Sequence, residues 1–134
     1  MKSYHLQIVT PNGLSFDGEA EKLIVRTITG DVCILANHAS YVTALGMGEA
    51  RVTAAGAQAR HAACIGGLLT VTNDKVRIVA STFEWADEID AQRARASKEK
   101  AEQALSQQLD PHDKKVMEAK LKRALVRLKV CESK

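Results

Sequence analysis

Residues 88–105 read "EIDAQRARASKEKAEQAL", and this stretch decides what kind of fold the chain takes. It holds no glycine or proline and is built mainly from alanine, glutamine, glutamate, lysine and arginine, all strong helix formers. Helical spacing places Ala94, Ser97, Ala101, Ala104 and Leu105 on one side. Such small residues let two backbones come close but remove little apolar area from water. A fully buried Leu or Met contributes roughly 1.5–3 kcal/mol and an alanine far less. The stretch predicts a stable helix with a weak hold on whatever it packs against.

Reading onward, "QLDPHDKK" at 108–115 marks a second helix start. Asp110 takes the N-cap, Pro111 the first helical position and Asp113 the first turn. The link between the helices falls near 107–110, short enough to predict antiparallel neighbours. On the second helix Met117, Leu121, Ala124, Leu125 and Leu128 are expected to form the apolar stripe.

Reading backward, the chain turns to short β runs. "YHLQIVT" alternates and stops at "PNG"; "LSFDG", "EAEKLIVRT" and "TGDVCIL" follow. "GMGEARVTA" and "QARHAACI" flank "AGA" as a hairpin, and "GGLLTVT" and "KVRIVAS" flank Asn73–Asp74, a two-residue turn. After Ser81 the texture changes, and "TFEWADEID" bridges into the helix. The glycines of "GMG" and "IGG" read as bulges or turns, since no GxxxxGK[ST] occurs. The pattern predicts an antiparallel sandwich or barrel. The fold class is α+β, with a β domain at 1–86 and a two-helix hairpin at 87–134.

The 134 residues carry a net charge of +3, unevenly spread. Residues 111–134 hold eight basic and three acidic side chains, a net +5, while the two preceding segments each sum to −1. An acidic partner would therefore be met at the second helix. No apolar run approaches the ~18 residues of a membrane span. The opening residues lack a signal-peptide apolar block, so a soluble cytosolic protein is the expectation. Cys33, Cys64 and Cys131 share no close spacing and read as reduced thiols.

Lys120, Arg123 and Arg127 share one face of the second helix, and Arg93 and Lys100 sit two turns apart on the first. In an antiparallel pair the two basic rows can converge, with Glu84 and Asp90 beside them. An arginine pair on a helix is more commonly a solvated face. Donors and acceptors meeting in one place would instead suit a nucleotide's base and phosphates.

An enzyme reading finds no support. His5, His38, His61 and His112 are scattered, His38 is expected to bond locally within its loop, and no HExxH or nucleophile triad occurs. A nucleic-acid barrel lacks the interleaved aromatic and basic side chains of a stacking platform. A static structural adaptor, whose hairpin never moves, stays open on the residues alone.

Three motifs in order, "IVTPNGLSFDGEAEKLIVRTITGD", "GDVCILANHASYVTAL" and "IGGLLTVTNDKVRIVA", followed by the helical hairpin, resemble the epsilon subunit of the rotary F-type ATP synthase. The resemblance covers essentially the whole chain. It departs at Cys33, Asn37, Ser40 and Ala80, where the family often has Gly, Gly, Pro and Leu.

The resemblance implies a β-sandwich of about ten strands and a C-terminal helix–turn–helix. It implies a non-catalytic rotor subunit, seated against the gamma subunit and the c ring of a proton- or sodium-translocating synthase. Ile34 to Gly46 is expected to contribute loops towards that ring. The location implied is the cytoplasmic face of a bacterial plasma membrane, held only through the complex. The hairpin is implied to alternate between a compact form and an extended form that reaches the catalytic beta and alpha subunits and blocks ATP hydrolysis. About 45 helical residues would span ~65 Å. No cofactor is required, but some members bind ATP in the compact form through (I/L)-D-x-x-R-A, which "IDAQRA" matches from Ile89 through Asp90 and Arg93 to Ala94. The implied ATP set adds Glu84, Lys100, Arg123 and Arg127. Lys100 stands where an Arg is common, which keeps the charge and loses the planar fork.

Overall fold

The structure is a computed structural model that describes residues 2–73 and 75–132. Six strands and two α-helices lie among the described residues: β1 (Tyr4–Thr10), β2 (Gly13–Thr27), β3 (Gly30–Leu35), β4 (Tyr41–Ala54), β5 (Ala59–Thr72), β6 (Lys75–Trp85), α1 (Ala91–Leu105) and α2 (Pro111–Glu132). A 3-10 turn at Ala86–Glu88 joins β6 to α1.

The sheet order is β1-β6-β5-β4-β2-β3, and β1 also pairs with β2, which closes the sheet on itself. The early part of β2 runs antiparallel to β1, and its later part pairs with β3 and β4. Closure corrects one expectation. The β1–β6 pairing is parallel, with Leu6 opposite Val76 and Ile8 opposite Ile78, while every other described pairing is antiparallel.

The strand count is also corrected, from about ten to six. β2 and β5, 15 and 14 residues long, each run on where two strands were expected, and β4, 14 residues long, starts at Tyr41, ahead of the expected "GMGEARVTA". In β5, glycines provide the bend. Gly66 and Gly67 have φ of 70° and 123°, yet the β5–β6 register is unchanged across them, from Ile65 opposite Thr82 to Gly67 opposite Ala80. A side chain on Gly67 would collide with the Val79 carbonyl, so only glycine lets β6 lie so close. These glycines therefore kink a continuous strand, where a bulge or a turn was expected.

Alternation decides the core. Tyr4, Leu6 and Ile8 of β1, and Val76, Ile78 and Ala80 of β6, point inward to meet Leu23, Val25, Val52, Leu69 and Val71. The Tyr4 hydroxyl donates to the Ile34 carbonyl at 2.8 Å, so the one polar tip in this region is satisfied. β6 also runs farther than expected, through Phe83 and Trp85, whose rings meet edge-on at 5.0 Å and join the core. Of the Asn73–Asp74 turn, Asn73 follows β5 with a positive φ of 37°, and Asp74 lies outside the described residues.

The helix starts match their caps. Asp90 accepts from the backbone N–H of Arg93 at 3.1 Å, and Asp110 accepts from that of Asp113 at 2.8 Å. No helix among the described residues is long and apolar enough to cross a membrane.

Candidate functional site

The hairpin meets the barrel through α2, which lies on β4, β5 and the 3-10 turn. A second apolar cluster, separate from the barrel interior, fills this contact. It consists of Ala63, Ala86, Ile89 and Val130, with Val126 and Cys131 packed around them. Only Ile89 and Val130 are large and fully engaged, so the cluster supplies on the order of a few kcal/mol before ordering costs are counted. The predicted stripe on α2 needs amending. Met117, Leu121 and Leu128 are half-buried and Ala124 is buried, but Leu125 is exposed. The docked edge runs instead through Val126 and Val130. α1 buries two alanines, Ala94 and Ala101, in keeping with its small-residue face.

Between the helices lies a groove of roughly 600 Å3, lined by Ser97, Lys100, Ala101, Ala104, Met117, Lys120, Arg123 and Arg127. Four cations thus converge over an apolar floor of alanine and methionine. Both dimensions and chemistry suit a polyanion with a flat organic part, since small-molecule pockets occupy ~300–1,000 Å3. Lys100, Arg123 and Arg127 stand together here as expected. Lys120 and Ser97 complete the wall; the spacing of Lys120 with the two arginines was the signal for it.

Arg127 does a second job at the groove's end. Its Nε donates to Oε1 of Glu84 on β6 at 2.6 Å, across 43 positions of sequence. The acidic group placed beside the cluster is therefore the ion partner of one of its arginines.

The remaining residues of the implied set sit elsewhere. Ile89 is in the apolar cluster, and Ala94 is buried within the hairpin. Asp90 caps α1. Arg93 does not line the groove. It shares a face with Lys100 but stands in the first turn of α1, beyond the groove's end, and its side chain is exposed. Within the compact fold, the "IDAQRA" segment thus acts as a plug, a cap and a close-packing alanine.

A different surface lies on the barrel's outside. Leu68 pairs with Val79, Val79 with Val9, and Val9 with Leu14, which makes a row of apolar side chains across four strands. Leu68 and Val79 are 45% and 47% exposed, and Leu14 is 61% exposed. At the end of the barrel, the loop after β3 carries Asn37 with a φ of 66° and His38, whose Nδ1–H donates to the Ala39 carbonyl at 2.8 Å. Leu35 and Val42 flank this loop and are exposed.

Residues 3–86 match the family described as ATP synthase, Delta/Epsilon chain, beta-sandwich domain, and residues 87–132 match its long alpha-helix domain. An ATP synthase epsilon chain of Caldicellulosiruptor bescii is 41% identical over 132 residues, covering 98% of this chain and 96% of that one. That of Bacillus velezensis is 40% identical over 130 residues, covering 97% and 98%. Among solved structures, a chain of the Euglena gracilis mitochondrial ATP synthase OSCP/F1/c-ring assembly superposes with a TM-score of 0.80 at 22% identity. It covers 98% of this chain and 80% of that one. A chain of the Tetrahymena thermophila mitochondrial ATP synthase central stalk and c ring superposes at 0.65 with 16% identity, covering 95% of each.

Proposed function

This chain belongs to the ATP synthase delta/epsilon chain family as an epsilon-type, non-catalytic subunit, and from that premise we propose that its hairpin is a regulatory arm whose compact pose is favoured by ATP. The observation that carries the reading is the division of the apolar core. The barrel interior is large and continuous, while the hairpin is held by a small separate cluster and by the Arg127–Glu84 ion pair. A conformational gap of a few kcal/mol is within the range that a ligand or partner can bias.

The groove supplies the ligand chemistry. Lys100, Lys120, Arg123 and Arg127 face one space, and phosphate oxygens would take charge-assisted hydrogen bonds from both helices at once. Bridging α1 and α2 in this way favours the closed hairpin. Arg127 would share itself between the phosphates and Glu84. In the extended pose the +5 segment would meet acidic surface on the catalytic beta and alpha subunits and oppose ATP hydrolysis.

The barrel's exposed apolar row of Leu14, Val9, Val79 and Leu68 is suited to burial against the gamma subunit. The Asn37–Ser40 loop at the barrel end would face the c ring. That seating makes the protein peripheral to a bacterial plasma membrane, on its cytoplasmic face.

Titration calorimetry of the isolated subunit with ATP tests the ligand. The expected result is saturable binding that Arg123→Ala, Arg127→Ala removes. No heat at millimolar ATP, or undiminished binding by the double variant, overturns it.

A further inference from the structure

Ala63 of β5 is fully buried where α2 crosses the barrel, packed with Val130. The register places Glu49 of β4 opposite Ala63 on one side and Glu84 of β6 opposite it on the other. Two carboxylates therefore flank one methyl group in a single row beneath the helix. Glu84 takes Arg127. Glu49 is the more deeply covered, its side chain only 7% exposed.

A carboxylate so far from water needs compensating charge. One guanidinium supplies it from the strands, and an imidazole lies close by. Arg51 Nε donates to Glu49 Oε1 at 2.8 Å, and His61 Nδ1 lies 3.3 Å from Oε2. On the helix side, residues 127 and 129 project about 200° apart, with residue 130 between them on the underside. Arg127 leans to β6. Lys129 lies on the other flank, close enough to Asp31 of β3 to act on it. The Asp31 carboxyl is held below its ordinary value chiefly by the hydrogen bond from Arg26, with smaller contributions from Lys129 and Arg51. The cations of α2 thus splay to both sides of Val130, each towards carboxylates.

We propose that Glu49 and Glu84 together form an acidic cradle that seats α2, and that Glu49 is a positioning residue for the compact pose. The cradle fits a helix carrying a β-branched apolar residue between two flanking cations, which α2 presents as Val130 between Arg127 and Lys129. The inference rests on the mobile-hairpin reading above and adds the half of the latch on β4. Departure of the helix returns water to Glu49 and screens the attraction.

Hydrogen exchange on the full-length, nucleotide-free chain tests this. Glu49→Gln and Glu84→Gln are each expected to speed exchange in α2 about three- to tenfold, with the amides of β1 and β6 unchanged. Lys129→Gln should reproduce the effect from the helix side. Added salt should speed α2 exchange in the wild type, and less so in each single variant. Unchanged or slowed α2 exchange in Glu49→Gln overturns the proposal. So does equal acceleration throughout the barrel, which would make Glu49 a residue of the barrel alone. Failure of the mobile-hairpin reading has another signature: α2 as protected as β1 in the wild type and in every variant, which overturns both.

Discussion

Arg127 of α2 and Glu84 of β6 are joined by a 2.6 Å hydrogen bond from Nε to Oε1, both side chains about two-thirds buried. One ion pair thus fastens the helical arm to the last strand of the barrel, and one of its members also lines the cationic groove.

Removing the charge at Glu84 leaves Arg127 half-committed. Glu84→Gln should weaken docking of the hairpin by about 1 kcal/mol, near a fivefold rise in the open population. Site-directed spin labels on α2 and β5 would read this as a larger long-distance fraction, with no change in the barrel's thermal midpoint.

Val130 is the large side chain at the centre of the helix–barrel contact, with no exposure. Val130→Ala should cost the hairpin about 2 kcal/mol of docking. Limited proteolysis would show α2 cut sooner, while fragments of β1–β6 persist as in the wild type.

Gly67 has a φ of 123°, and a Cβ there would meet the Val79 carbonyl and lie 2.7 Å from Ala80 Cα. Gly67→Ala should destabilise the barrel itself by about 2–4 kcal/mol, through backbone strain and lost β5–β6 pairing. Urea unfolding followed by Trp85 fluorescence reports it. Gly56, with a φ of 73° in an open turn, should tolerate alanine at about 1 kcal/mol.

Two buried acids predict an alkaline limit. Burial pushes the Cys64 thiol up to about 12, and burial, helped by nearby Cys33, raises Tyr4 above the usual phenol range. Both favour the protonated form in the fold, so their stabilisation is complete below the unfolded values, near ~8.5 and ~10. It is lost as pH rises through those values towards the folded ones. Stability should fall by about 1.4 kcal/mol per pH unit above ~8.5 from Cys64 alone, and more steeply above ~10. In Cys64→Ala the decline in thermal midpoint should begin only near the phenol range.

Much of this molecule was legible in local pattern. Helix caps are short-range chemistry, so the Asp110–Pro111 start fell where residue type put it, while Asp90, read from the sequence as an acceptor beside the basic rows, turned out to cap α1. Helical spacing likewise gathered Lys120, Arg123 and Arg127 on one wall of the groove. Arg93 shows the limit of that logic. A common face on a helix says nothing about how far along its axis a neighbouring helix stays in contact.

The chain's composition and periodicity by themselves determined a β unit followed by a weakly apolar helical pair, because alternation, turn residues and helix propensity act over a few positions. Tertiary structure alone decided that Gly66 and Gly67 bend one strand instead of ending it, that β1 closes the barrel in parallel with β6, and that Glu84 meets Arg127 while Glu49 lies across Ala63 from it, bonded to Arg51. Each of these depends on which strands lie side by side. That is set by the packing of residues dozens of positions apart, where neither pitch nor propensity carries information.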